Sequence, residues 1–223
     1  CLSEVARNSG VKVFTNSHVK QINISNKCFN LLVRGNHWLS ARKVLICTGG
    51  HPSGRKLAQS LGHSIVNPVP SLFSFCTVNN YLKSCSGIAL TAQLKLIVNK
   101  KKFCESGSIL ITHKGFSGPA ILKLSSFAAR ILHENNYKAE LKINWLNMSE
   151  DEVRSKINLF KIDNGKKLII KNKPFNSLPN GLWKALLLSE NIHNELRWAD
   201  LSKSYKKAIV RCLTNNSYVI KSR

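Results

Sequence analysis

Two short stretches of this chain carry residue types whose spacing could do chemistry. The first is Thr48-Gly49-Gly50, which follows Lys43-Val44-Leu45-Ile46-Cys47. Four apolar residues followed by small ones read as a fully buried strand of a parallel sheet, ending in a tight turn. In open α/β sheets, ligands bind beyond the carboxyl ends of the strands. Glycines there let the backbone approach a ligand closely, because no Cβ intervenes. An ordinary strand-to-helix turn has the same spacing, so both readings stand. The second stretch is Gly115-Phe116-Ser117-Gly118-Pro119, after the strand-like run Ile109-Leu110-Ile111-Thr112 and His113. Pro119 suits the first position of a helix, and the free N–H groups of a helix start attract anions or polarised carbonyls. A purely structural cap is the preferred reading on spacing alone. His113, likewise, is more often a hydrogen-bonded structural histidine than a catalyst.

Other signatures of chemistry are missing. The sequence contains no GxGxxG, GxxxxGK[ST], GxSxG or HExxH. With 11 Asp and Glu in 223 residues, no convincing pair of acid and base carboxylates stands out. Cys1, Cys28, Cys47, Cys76, Cys85, Cys104 and Cys212 form no CxxC pair, are odd in number and are widely spaced. Neither a zinc site nor a disulfide framework is expected, and no metal is assigned; a reducing, cytoplasmic setting fits best. Trp38, Trp145, Trp183 and Trp198 are expected in the core rather than as stacking platforms.

These residues need elements to position them. A helix should end near Gly10, followed by strands over Val11–Phe14, Val19–Ile24 and Cys28–Val33, with Trp38–Ala41 as a hairpin partner. After the Thr48-Gly49-Gly50 turn comes a short helix with Pro52 in its first turn and Gly62 just past its end. Pro68-Val69-Pro70 marks a change in texture. Beyond it, short strands at Leu72–Val78, Ile88–Ile97 and Ser108–Thr112 alternate with turn residues. Helices are expected after Gly118-Pro119, after the capping box Ser149 and Glu152, after Ser177-Leu178-Pro179, and over Asp200–Leu213. The reading is therefore α/β plus a β-rich insert: residues 1–68 as part of a nucleotide-binding domain, and 69–223 as a small barrel-like domain carrying helices.

The net charge is +23. Such a surplus can mark a nucleic-acid partner. The basic residues are spread along the chain, however, and Lys, Asn and Ile are all abundant. A solvated cationic surface is the preferred reading, and a nucleic-acid-binding module is the alternative. No apolar run approaches the roughly 18 residues of a membrane span. The chain begins with Cys1 and has one methionine, Met148, so it reads as an internal piece of a larger protein.

Taken together, these residues resemble one family. Ala41-Arg42-Lys43-Val44-Leu45-Ile46-Cys47-Thr48-Gly49-Gly50 resembles the second flavin-contacting motif of two-dinucleotide-fold flavoproteins. Leu61-Gly62-His63-Ser64-Ile65, with Pro68 and Pro70-Ser71-Leu72, resembles the entry to the inserted domain of the aminoacetone-oxidase-like, or BaiN-like, NAD(P)/FAD-dependent oxidoreductases. The run Gly107 to Leu122, with Thr112-His113 and Gly115-Phe116-Ser117-Gly118-Pro119, is the most specific match. The resemblance implies an FAD-dependent oxidoreductase acting on a small-molecule substrate, with NAD(P) as a possible electron donor or acceptor. It implies Val19, Thr48, Gly49, Gly50 and Gly118 as cofactor-binding residues, and His113 and Ser117 as catalytic candidates on the substrate side. A non-catalytic remnant is a further alternative. The loop His51-Pro52-Ser53-Gly54-Arg55 is shorter than the family's glycine-rich one, which puts flavin or substrate contacts there in doubt.

Overall fold

The computed structural model describes residues 1–78 and 80–222. The chain forms two compact units, Cys1–Pro68 and Val69–Arg223.

In the first unit, helix α1 (Leu2–Asn8) ends before Gly10, whose φ of 81° gives the left-handed stop. Strands β1 (Val19–Ser25), β2 (Cys28–Val33) and β3 (His37–Ala41) form an antiparallel meander. Its hairpins turn through Asn26-Lys27 and Asn36, all at positive φ, where Asn and Gly are the favoured residues. Helix α2 (Pro52–Ser60) follows, with the His51 ring accepting from the Ser53 N–H at its start.

Two strand expectations fail here. Val44 to Thr48 lies in no strand, and Leu45 is 86% exposed. Val11–Phe14 is likewise unpaired. An apolar run becomes a buried strand only when neighbouring strands complete its ladder and helices cover its faces, and among the described residues none pairs with either segment.

The second unit is a closed six-stranded antiparallel barrel, in agreement with the expected barrel-like domain. Its strands are β4 (Phe75–Thr77), β5 (Ala89–Val98), β6 (Lys101–Thr112), β7 (Gly115–Ser117), β8 (Ala139–Asn144) and β9 (Asn216–Ser222), joined in the order β4-β7-β6-β5-β8-β9. Closure removes the exposed edges that would otherwise invite pairing with other chains. Alternation along β5 and β9 sends Ala92, Leu94, Leu96, Val98, Tyr218 and Ile220 inward, with Phe75, Ile109, Ile111, Phe116, Leu141 and Ile143 from the other strands.

Helices α3 (Pro119–Phe127) and α4 (Ala129–Glu134) connect β7 to β8. Between β8 and β9 come α5 (Glu150–Asn164), α6 (Asn180–Ser189) and α7 (Lys203–Thr214). The capping box is present: the Ser149 hydroxyl accepts from the Glu152 N–H, and the Glu152 carboxylate accepts from the Ser149 N–H. The Ser149 N–H and, after it, the Ser149 hydroxyl both donate to that carboxylate and hold the Glu152 carboxyl below its usual range. Trp183 and Trp198 pin the helical layer, their indole N–H groups donating to the carbonyls of Ile169 and Asn172 at 3.0 Å. Trp145, Trp183 and Trp198 are buried as expected, but Trp38 on the three-stranded meander is 52% exposed. A meander with one open face has no second layer to cover it. No helix among the described residues is long and apolar enough to cross a membrane.

Candidate functional site

His113 sits at the tip of the hairpin between β6 and β7. The Thr112 hydroxyl ties that tip down, accepting from the N–H groups of Lys114 (3.3 Å) and Gly115 (3.1 Å). Thr112 also receives Asn80, whose side-chain amide donates to its carbonyl at 2.8 Å. The His113 Nδ1 lies 3.1 Å from the Ser86 hydroxyl, in the loop after the short 3-10 turn Lys83–Cys85. This contact leaves Nε2 as the ring nitrogen available to a ligand.

The hairpin tip borders a cleft of about 470 Å³ lined by Cys76, Thr77, Asn80, His113, Lys114 and Lys221, among others. Two ammonium groups and an imidazole therefore share one concavity. The Oδ1 of Asn80 is buried and has no hydrogen-bond partner among the described residues. A buried acceptor without a partner is uncommon in folded proteins and marks a place where a donor is wanted.

Ser117, four residues after His113, is not part of the cleft wall. Its hydroxyl accepts from Ser74 at 2.7 Å. The structure thus brings His113 to a cleft and gives Ser117 a hydrogen bond to the strand approach of β4. The glycines of the same motif are explained by packing. Gly115 has φ 152°, and a Cβ there would collide with the Phe75 carbonyl oxygen. Gly118 has φ 98°, and its Cβ would stand 2.9–3.0 Å from the backbone of Ser108, Ile109 and Leu110. Gly118 caps α3 without a side-chain bond, and Pro119 holds the first helical position.

In the first unit, Val19 and Thr48 line one pocket of about 360 Å³, together with Ile22, Leu31, Val44 and Leu57. Gly54 lets α2 lie directly against Thr48, because a Cβ on Gly54 would collide with the Thr48 hydroxyl. Gly49 (φ 57°) and Gly50 leave open space where a Cβ would stand. The Arg55 guanidinium donates to the Gly50 carbonyl at 3.1 Å and so is held beside the turn.

Sequence reasoning missed Ser86, Asn80, Lys114, Lys221 and Arg55. Ser86 and Asn80 are distant in sequence from His113 and meet it only through the fold, and Lys221 comes from the last strand. Lys114 and Arg55 had local signals, the first next to His113 and the second five residues after Gly50. No group of three or more His, Cys, Asp or Glu among the described residues could hold a metal ion.

The chain is similar to a 3-dehydro-bile acid delta(4,6)-reductase of Clostridium scindens, with 26% identity over 161 residues, 68% of this chain and 39% of the relative. It is also similar to a ribosomal RNA dihydrouridine synthase of Haemophilus influenzae, with 28% identity over 132 residues, 53% of this chain and 32% of the relative. The chain thus spans about a third to two fifths of the length of these curated relatives. The model of the HI0933-like protein barrel and H2TH domain matches residues 69–222. That segment is the closed barrel with its helices, and it holds the Gly115-to-Pro119 motif that carries the resemblance read from sequence. The chain belongs to the HI0933-like family, and its second unit is the barrel and H2TH domain of that family.

Proposed function

We propose that this chain is part of an FAD-dependent reductase that adds hydrogen across a carbon–carbon double bond conjugated to a carbonyl. The names of the two relatives share that chemistry. A 4,6-diene beside a 3-oxo group is a conjugated carbonyl, and dihydrouridine is uridine with the ring double bond next to a carbonyl reduced. Flavin, when bound, supplies the hydride, and NAD(P) is the proposed electron donor. The open backbone of Gly49 and Gly50, the pocket shared by Val19 and Thr48, and the Arg55 guanidinium fit a phosphate-bearing cofactor at this turn.

The observation that carries the reading is the cleft in which His113 meets Lys114 and Lys221. Hydride addition to the β-carbon pushes an electron pair onto the carbonyl oxygen. A protonated His113, oriented through Nδ1 by Ser86, would donate from Nε2 to that oxygen or to the α-carbon. The two lysines would stabilise the negative charge as it forms. Ser117 would act by holding the β7 end in place through Ser74.

A second reading of the substrate is uracil borne on RNA. It is favoured by the net charge of +23, a surplus of 8 cations up to Pro68 and 15 after it. A small neutral substrate does not account for such a field.

The test uses the full-length protein. Purification should give visible flavin absorbance, and NAD(P)H oxidation should be stimulated by a small cyclic enone or by uridine-containing RNA with dihydrouridine as product. A protein that binds no flavin and reduces neither compound would overturn the proposal.

A further inference from the structure

The outer face of the barrel carries an ordered polar array that the His113 cleft does not use. On β5, Gln93 faces Ser106 of β6 on one side and Asn144 of β8 on the other. Two residues on, Lys95 faces Cys104 and Lys142, and Lys142 faces Ser217 of β9. These rows border a depression of about 490 Å³, closed at one end by Thr214 and Asn215 at the end of α7. A second depression of about 510 Å³ shares Lys142 and Asn215 with it and continues to Tyr81, Arg211 and Ser217. The two form one groove across four strands, a span of ~14 Å from the spacing of adjacent strands.

Four features of the groove point to a bound polyanion. Lys95 and Lys142 stand directly opposite on neighbouring strands, an arrangement that costs stability when nothing neutralises it. Lys142 has Glu140 at 3.6 Å, but no carboxylate among the described residues pairs with Lys95. Arg211 is anchored at 3.0 Å by Glu190 while 65% of its side chain is exposed, so most of its donors face outward. The Gln93 amide is exposed and makes no hydrogen bond to the described residues. In the second depression, Tyr81 stacks on Tyr218 at 5.4 Å and 20° and is 39% exposed, leaving part of a ring surface on which a base can stack.

We propose that this groove is a docking track for a single-stranded segment of RNA, a few nucleotides long. Lys95, Lys142 and Arg211 contact phosphates, Gln93 and Asn215 offer amides to base edges or 2′-hydroxyls, and Tyr81 receives a base. Two carboxylates also line the groove, but each is held by a cation, Glu105 by Lys123 at 2.9 Å and Glu190 by Arg211 at 3.0 Å, so with Lys95 and Lys142 the groove's charge complements a polyanion, and ammonium groups with amides and one aromatic platform are the chemistry of a nucleic-acid track. The inference rests on the RNA reading of the substrate above, and it assigns the recognition to a surface separate from the His113 cleft.

The experiment measures binding of a fluorescent, unstructured RNA 20-mer to the full-length protein across a salt series, with DNA of the same sequence beside it. Lys95→Glu with Lys142→Glu should weaken RNA binding about 10-fold or more and reduce the salt slope by about 1.4, the value for two lost phosphate contacts on a single strand. The same charge change on β1 and its turn, Lys20→Glu with Lys27→Glu, should weaken it less than about 3-fold if the contact is local rather than diffuse. Gln93→Ala, which leaves the charge unchanged, should weaken RNA binding without altering the slope and should narrow the preference for RNA over DNA. Equal losses in the two double variants, or equal affinity for RNA and DNA with no effect of Gln93→Ala, would overturn the groove. Enone reduction by the same proteins keeps the two readings apart. Reduction without RNA binding in the wild type sinks the groove alone. RNA binding that depends on Lys95 and Lys142, in a protein that reduces nothing, sinks the reductase alone.

Discussion

A Cβ on Gly118 would stand 3.0 Å from the Cα of Ile109, so α3 begins in direct backbone contact with β6. The φ of 98° and ψ of 167° at Gly118 lie in a region essentially confined to glycine. Gly118→Ala should therefore destabilise the barrel through both strain and overlap, by about 2–4 kcal/mol. The urea midpoint measures this. An unchanged midpoint would mean that the contact relaxes freely.

On the proposed mechanism, His113 and Ser117 have different roles. In the full-length protein, His113→Ala should lower turnover by about 100-fold or more, the usual range for a lost acid–base group, with flavin content and folding intact. Ser117→Ala should lower it mildly, through loss of the 2.7 Å bond from Ser74. Steady-state kinetics normalised to bound flavin decide this. Unchanged turnover in both variants would leave the two residues with structural roles only.

Asn216 is the polar keystone of the barrel. Its Oδ1 accepts from the Trp145 indole N–H and the Tyr81 hydroxyl, each at 3.1 Å, and from the Tyr218 hydroxyl. Burial raises the Tyr218 phenol well above its usual range, so it remains a neutral donor. Asn216→Leu would leave three donors without their acceptor and should cost about 3 kcal/mol or more. The readouts are the unfolding midpoint and the tryptophan emission from Trp145.

Acid should weaken the start of α5. The Glu152 carboxyl is held low by the Ser149 N–H and hydroxyl. A lowered folded value means that its stabilising contribution is present above the unfolded value of about 4.3 and is lost as pH falls through the lower folded one. The stability difference between wild type and Glu152→Ala should be constant near neutrality and shrink on acidification below pH ~4. A difference that grows in acid would contradict the capping geometry.

Thiol reactivity should divide by burial. Burial, with Glu190 nearby, pushes the Cys212 thiol up to about 12, and burial also raises Cys85. A thiol reagent at pH ~8 should modify exposed Cys1, Cys47 and Cys104 rapidly in the native protein. Cys85 and Cys212 should react only after unfolding, which mass mapping of the labelled peptides would check.

Local signals in the sequence determined much of this protein. The glycine and asparagine turns set the β1–β3 hairpins, the Ser149–Glu152 box started α5, and Gly118-Pro119 started α3, because each depends on residues within one turn of chain. The resemblance centred on Gly115 to Pro119 located the family, and the family match covers the unit that contains it. Tertiary structure decided the rest. β8 and the first half of β6 carry charged residues, Glu140, Lys142, Lys101, Lys102 and Glu105, that blur the alternation of a strand, and only pairing with β5 makes them strands. The run Val44 to Thr48 shows the converse, since an apolar segment with no ladder partner among the described residues stays outside any sheet. The His113 cleft was illegible for the same reason. Ser86, Asn80 and Lys221 lie 27, 33 and 108 residues from His113 in the chain, and only barrel closure through β4 and β9 brings them to the hairpin that carries it.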